Sequence, residues 1–429
     1  MVIAKKIEAP SALEMGRRKV KRLWRGTVLV FLLAGILVQF SALDYFSALK
    51  GEFLVSQWFI AMSVAGFMLL FPRVPLNRKV TLVISLLTLL FLLNFVLAYE
   101  RVPKVMLTQI IYLVTAWYVA CLYSSLGQSD LETLFCHTRP LIRLTVIIVG
   151  VLAIWLLLFH NKLLSDAFVT FDFNSYVNQL VPLFWMKNHV AYMTVIVILF
   201  YFVSGLRKSW QRIGALIWFV PVSLMNIAAR GMWVGLFLVM LFILIRKPRI
   251  LLILLVVGAL GLGVLTTQQN TITENGLKFI QFDRASSYSM AVYFASNYPF
   301  GLGNGAYHLY TLANKGQLTE QFRDQFSGFQ DWLFTAPETN FVFLLGSLGL
   351  FGVVVAILLL WVLFRLWRLY PVLDPLDRFW CLLYAFFFLS GIAYNNIVSP
   401  SFWIIFGFAL GIITARRNQV GGSARLNVS

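Results

Sequence analysis

An all-α, multi-span membrane fold is predicted by three features of this chain. About twelve long apolar runs fill its 429 residues, 60% of the residues are hydrophobic against 12% charged, and the mean hydropathy is +0.82. Water-soluble folds do not hide that much apolar surface. Apolar runs of about 17–25 residues suit helices crossing the hydrocarbon core, where a helix satisfies its own backbone polar groups.

The runs predict spans at about 27–47, 53–71, 80–99, 105–124, 141–159, 188–206, 212–228, 231–246, 250–266, 340–364, 379–395 and 400–415. Most Lys and Arg fall in the segments that alternation places on the side of the amino terminus. They include Arg17, Arg18 and Lys19, then Arg73, Arg78 and Lys79, Arg139 and Arg143, Arg246 and Lys247, Arg365 and Arg368, and Arg416 and Arg417. The bias recurs from loop to loop, so both termini are expected in the cytoplasm. The net charge of +18 is then an orientation signal, and no nucleic-acid partner is expected. A long basic segment before the first run, with no small-residue cleavage pattern after it, predicts a retained anchor rather than a signal peptide.

The chain reads as one membrane domain over 1–429 with two outer insertions, 160–187 and 267–339, and no internal repeat. The smaller insertion carries Phe168, Phe171, Phe173, Tyr176, Phe184 and Trp185, which suit an interfacial segment. Cys121, Cys136 and Cys381 fall at or near the inner side and imply neither a disulfide framework nor a thiolate metal site. They read as small apolar residues.

In the larger insertion, Asp283 to Asn297 has a helix-compatible pattern that Tyr298-Pro299 stops. Phe300-Gly301-Leu302-Gly303-Asn304-Gly305 follows, whose glycines permit backbone conformations closed to other residues and close backbone approach to a ligand. Arg230 stands at the tip of a tight outer hairpin, against the orientation rule. It is either a cation snorkelling to lipid headgroups or a planar donor fork holding phosphate. Arg284 opens the helix-like stretch of the large insertion. Glu338 precedes the tenth span, as a macrodipole-favoured helix-start carboxylate or as a partly desolvated base. The outer carboxylates are too dispersed for a Mg or Ca site, no phosphate-binding Gly-Lys-Ser/Thr loop occurs, and neither a metal nor another cofactor is expected.

Three motifs in order carry a resemblance. They are Asn226-Ile-Ala-Ala-Arg230-Gly-Met-Trp, then an arginine followed by Tyr298-Pro-Phe-Gly-Leu-Gly-Asn-Gly305, then Pro337-Glu-Thr-Asn340 leading into Leu345-Gly-Ser-Leu-Gly-Leu-Phe-Gly352. Together they resemble the bacterial O-antigen polymerase and O-antigen ligase superfamily over roughly 187–352. The Gly-rich turn and the Thr339-Asn340-Phe341 junction are also similar to the peptidoglycan polymerases of the shape, elongation, division and sporulation family.

The resemblance implies a GT-C-like fold in the bacterial inner membrane and inverting, metal-independent glycosyl transfer at the periplasmic face. The donor would be an undecaprenyl-diphosphate-linked glycan. The acceptor would be a second lipid-linked repeat unit in a polymerase and lipid A core in a ligase, with membrane lipids and a chain-length regulator as further partners. Arg230 and Arg284 are then expected to hold the donor's diphosphate and Glu338 to act as base, with His308 as the alternative base. Lys187, His189, Tyr298, Gly303, Gly305, His308, Arg323 and Asn340 are the expected binding residues. Ligases carry a histidine at the junction where this chain has Glu338-Thr339-Asn340, a departure that favours polymerase. A lipid-linked glycan flippase is the competing class. It would call for polar or broken helices near the midplane and two related halves, and no such halves are seen in the sequence.

Overall fold

The computed structural model describes residues 33–34, 36, 77–159, 187–205, 209–225, 230–245, 288–304, 306–314, 316–318, 320, 339–392 and 396–426. Within them the chain is helical, with no strand. The elements are α1 (Arg78–Leu97), α2 (Pro103–Ser124), α3 (Gln128–Phe159), α4 (Lys187–Ser204), α5 (Ser209–Met225), α6 (Arg230–Leu244), α7 (Tyr307–Ala313), α8 (Asn340–Val342), α9 (Leu350–Leu369), α10 (Pro375–Leu389) and α11 (Pro400–Leu426). A helical stretch also covers 288–297.

Among the described residues five helices are long and apolar enough to cross a membrane: Arg78–Leu97, Pro103–Ser124, Ser129–Val151, Leu350–Val372 and Pro375–Ile392. Shorter apolar helices run over Ala191–Ser204, Met232–Leu244 and Pro400–Ala415. The spans expected at 27–47, 53–71 and 250–266 lie outside the described residues, apart from helical Leu33, Ala34 and Ile36.

Local chemistry sets the helix starts. Asn77 caps α1 by accepting from the backbone N–H of Lys79 at 3.1 Å and of Val80 at 3.4 Å. Pro103, Pro375 and Pro400 open α2, α10 and α11, where a missing N–H costs nothing. Helix α3 begins at Gln128, well before the expected 141, and carries Pro140 inside it. Periodic Leu131 and Leu134 are buried and draw this amphipathic lead-in onto the bundle.

Helix α11 is the axis of the bundle, with Ser401 to Thr414 all buried. It packs closely on α2 because Gly407 and Gly411 present no side chain. A Cβ at 407 would stand 2.6 Å from the Ala116 carbonyl oxygen, and one at 411 would stand 2.8 Å from the Tyr123 Cβ. This small-xxx-small spacing is the close-approach device of membrane helices. Trp380 of α10 stacks on Phe408 at 3.8 Å between ring centroids. Helices α1, α3 and α9 are apolar on their outer faces too, with Leu82, Ile147, Val151, Leu350 and Ile357 all exposed. Such faces suit a hydrocarbon surrounding.

The two ends of the bundle differ. At one, the Tyr123 hydroxyl donates to the buried Asp377 carboxylate at 2.7 Å, tying α2 to α10. Nearby guanidinium groups lie over rings, Arg365 over Trp361 and Arg368 over Phe364. Cys121 and Cys381 are buried, as small apolar residues should be, while Cys136 is exposed.

At the other end, the run expected as one continuous span from 340 is broken. Helix α8 passes into a π-helical segment, Phe343–Ser347, and Gly349 then turns with φ 57° before α9 begins. The break is stabilised by the glycine-rich turn. Leu302 N–H donates to Gly346 O and Gly303 N–H to Ser347 O, both at 3.0 Å, while Leu350 N–H donates to Pro299 O at 2.8 Å. On its other flank the turn accepts from the chain after α1, Tyr99 N–H to Gly301 O at 3.3 Å and Glu100 N–H to Leu302 O at 2.9 Å. Asn94 Nδ2 closes the assembly by donating to Phe300 O at 2.7 Å and Ser347 O at 3.2 Å.

Contacts this close leave no room for a Cβ. At Gly301, with φ +84°, it would lie 2.3 Å from Ser347 O, and at Gly303, with φ +114°, 2.1 Å from Glu100 O. Gly301→Ala is expected to lower the thermal midpoint in detergent by the equivalent of at least about 1–2 kcal/mol from the positive φ alone. Gly214→Ala, where a Cβ meets nothing within 4 Å, is expected to leave the midpoint unchanged or slightly raised.

Candidate active site

The end of the bundle with the broken helix also gathers the motif-bearing segments. Thr339 caps α8, its Oγ1 accepting from Val342 N–H at 3.2 Å, so Glu338 stands one residue before a helix cap. Asn340, the first helical residue, is buried, and its Oδ1 accepts from the backbone N–H of Asn396 at 2.7 Å and of Ile397 at 3.1 Å. Asn396 in turn donates from Nδ2 to Phe387 O at 2.6 Å and to Ser390 Oγ at 3.0 Å, and its Oδ1 accepts from the Tyr192 hydroxyl of α4. One asparagine thus holds the start of α8, and a second holds the exit of α10 and the first turns of α4.

Helix α6, which starts at Arg230, reaches the same place. Gly235 lies so close to Phe386 and Ser390 that a Cβ there would stand 2.7 Å from one ring carbon and 2.8 Å from the Ser390 Cβ. On the opposite side of that turn, a Cβ at Gly391 would collide with Asn340 Nδ2 at 1.9 Å. The starts of α4, α6 and α8 therefore meet around residues 390–392 and 396–397.

The glycine-rich turn is joined to this assembly by its own small core. Met290, Ala291, Phe294, Leu302, Tyr307, Leu318 and Val342 are buried together. Tyr288 reaches across to donate to Ile392 O at 2.6 Å. The Tyr298 and Tyr310 hydroxyls stand 2.6 Å apart, with the Tyr99 ring against both. Burial first, then the hydrogen bond to Tyr298, pushes the Tyr310 hydroxyl well above the usual tyrosine range.

Of the residues expected to form the site, Asn340, Tyr298 and Gly303 are described in full and belong to this assembly. Lys187, His189, Arg230 and His308 are described in backbone only. The first two lie in the opening turn of α4, Arg230 opens α6, and His308 lies in α7 beside buried Tyr307. Arg284, Gly305, Arg323 and Glu338 lie outside the described residues. The glycines are expected to allow close backbone approach to a ligand; in the described turn it is the chain's own carbonyls at 100 and 347 that come close to Gly303 and Gly301.

Sequence reading passed over Asn94, Glu100, Tyr192 and Asn396, and took Asn304 only as part of the glycine-rich motif. A signal existed for two of them: Asn94 interrupts the run Phe-Leu-Leu-Asn-Phe-Val-Leu, and Asn396 closes Tyr394-Asn395-Asn396 in an apolar stretch. Several polar atoms at this end are buried without a hydrogen bond, namely Asn94 Oδ1, Glu100 Oε2, Asn304 Nδ2, Asn340 Nδ2 and Ser347 Oγ. Among the described residues no three His, Cys, Asp or Glu side chains gather as a metal site would require.

Tyr192→Phe removes the hydroxyl and leaves Asn396 Oδ1 buried without that donor. A loss of about 1–3 kcal/mol is expected, read as a lower denaturation midpoint in detergent. The raised Tyr310 pKa means that the unfolded chain, titrating near pH ~10, releases its proton first. The contribution is therefore intact below that pH and lost as pH rises through the higher folded value. A thermal midpoint falling above pH ~10, with a shallower fall in Tyr310→Phe, is the expected result.

No family model and no curated protein matches the chain.

Proposed function

We propose that the chain is a twelve-span, GT-C-like glycosyltransferase of the bacterial inner membrane. It polymerises undecaprenyl-diphosphate-linked repeat units into O-antigen or a related surface polysaccharide at the periplasmic face. One observation carries the reading. The glycine-rich turn, the Asn340 junction and helix α6, which begins at Arg230 in the first motif, come together at one end of the bundle, around 390–392, 396–397 and the broken helix.

The chemistry asked of such a site is specific. A sugar hydroxyl of the acceptor attacks the anomeric carbon of the donor as the bond from that carbon to the phosphate oxygen breaks. The bonding electrons leave with the lipid diphosphate, and the hydroxyl proton goes to a base. Arg230 and Arg284 stabilise the charge that grows on the diphosphate, and Glu338, one residue before the cap of α8, takes the proton. The absence of a histidine at that junction favours polymerase over ligase.

Arg230→Ala or Arg284→Ala is expected to abolish polymer in cells while the purified protein stays folded. Normal polymer from both would remove the diphosphate clamp. Glu338→Gln keeps shape and loses basicity, and a drop of about 10²–10⁴-fold in turnover is expected. Wild-type protein given only a lipid-linked repeat unit should yield a ladder of products, including in the presence of chelator. A requirement for lipid A core would make it a ligase instead.

A further inference from the structure

The stretch Leu350–Val372, long and apolar enough to cross a membrane, contains Arg365 and Arg368, about two turns and one turn before its end. A guanidinium that deep in a span is costly and is normally paired within the protein. Here the protein supplies no such partner. Among the described residues neither side chain has a hydrogen bond or an ion pair, and each lies over a ring of its own helix. The Arg365 guanidinium is 5.5 Å from the Trp361 ring centroid, and that of Arg368 is 4.3 Å from the Phe364 centroid. At the same end, by contrast, Arg378 donates to Pro371 O at 2.9 Å and the buried Asp377 carboxylate accepts from the Tyr123 hydroxyl.

Position along α9 shows what the two cations face. Residues 350, 357, 361, 364 and 368 recur at helical spacing and share one side of the helix. Leu350, Ile357, Trp361 and Phe364 are all exposed, as is Arg368, and Arg365 stands half-buried beside them. An outward apolar stripe that ends on two cations has the complementary form of a phospholipid, with acyl chains along the stripe and a phosphate at the guanidinium groups. Lying on a ring engages the face of a guanidinium and leaves its N–H edge free, and that edge is the fork that binds phosphate with two parallel hydrogen bonds. A free phosphate ion would meet the charge and leave the stripe bare. An apolar helix would cover the stripe and leave the charges unpaired.

We propose that the Arg365 and Arg368 end of α9 is a binding site for an anionic phospholipid. The two guanidinium forks beside Trp361 and Phe364 hold its phosphate, and its chains follow the outward face of α9. Helix α9 runs away from the broken helix, so the site lies at the opposite end of the bundle and does not depend on the chemistry proposed at the other.

The test uses the purified full-length protein in detergent, titrated with phosphatidylglycerol or with phosphatidylcholine, with retained lipid counted by native mass spectrometry. Wild type is expected to prefer phosphatidylglycerol. Replacing both arginines, Arg365→Gln with Arg368→Gln, removes charge-assisted hydrogen bonds and should weaken phosphatidylglycerol binding roughly tenfold or more, abolishing the preference. Arg365→Lys with Arg368→Lys keeps the charges and loses the forks, and its affinity should fall between the two. Arg139→Gln removes an exposed guanidinium that lies over Phe135 on α3, and it should bind like wild type if charge alone is not the cause. Neither Arg365 nor Arg368 bonds to the protein, so the melting temperature without lipid should stay near that of wild type, which separates a lost site from a lost fold.

No preference in wild type, or an undiminished preference in the double Gln variant, would overturn the site. An equal loss in Arg139→Gln would reduce it to net charge and overturn it as well. A wild-type dimer that forms without added lipid and is lost in the double Gln variant would mean that a second copy covers the stripe, and would likewise remove the lipid site.

Discussion

The end of the bundle that gathers the motif segments depends on how a broken helix disposes of its backbone polar groups. An apolar surrounding offers no water to a free N–H or carbonyl, so an interrupted helix must find partners within the protein. Here the interruption between Phe343 and Gly349 is answered by the turn 299–303, which accepts from Leu350 N–H and donates to the carbonyls of Gly346 and Ser347. The exchange is mutual, because the turn could not remain at that depth without those carbonyls. Glycine is required on both sides, since a Cβ at 301 or 349 would fall 2.3 Å from a backbone oxygen of the other segment.

Around that joint, asparagine serves as the connecting side chain. Asn94, Asn340 and Asn396 each bond backbone or side-chain groups of a different helix or turn. An amide can donate and accept without carrying charge, which keeps desolvation costs well below those of an ion pair. The result is a set of buried, uncharged amide links among the described residues at the end of the bundle where α6 and α8 begin. Neutral links of this kind leave any charge placed beside them weakly screened, which is compatible with the leaving-group chemistry proposed for this end.

Much of the bundle was legible because apolar run length is nearly a direct readout of a helix. The expected starts at 80, 105, 188, 231, 340 and 400 fall within two residues of those observed, among them Pro103, Lys187, Arg230, Asn340 and Pro400. The break after Phe343 was not legible, because Leu-Leu-Gly-Ser-Leu-Gly-Leu reads as an ordinary apolar run. What interrupts it is a carbonyl some fifty residues earlier, at Pro299. The glycine-rich turn was recognised, yet its closest described partners are backbone atoms of this chain, a long-range fact that local composition does not contain.

The Asn94 bonds have a consequence for assembly. Their acceptors lie 206 and 253 residues further along the chain, so during synthesis the amide is made long before either carbonyl exists. Pairings at that separation form late, because the intervening loop must first be closed. The early helices must therefore wait with an unmet polar group, and the final helices complete the joint by docking onto them. Closure of this end is in this sense a late event in the biogenesis of the protein, and a chain truncated before residue 300 would lack both partners that make Asn94 tolerable.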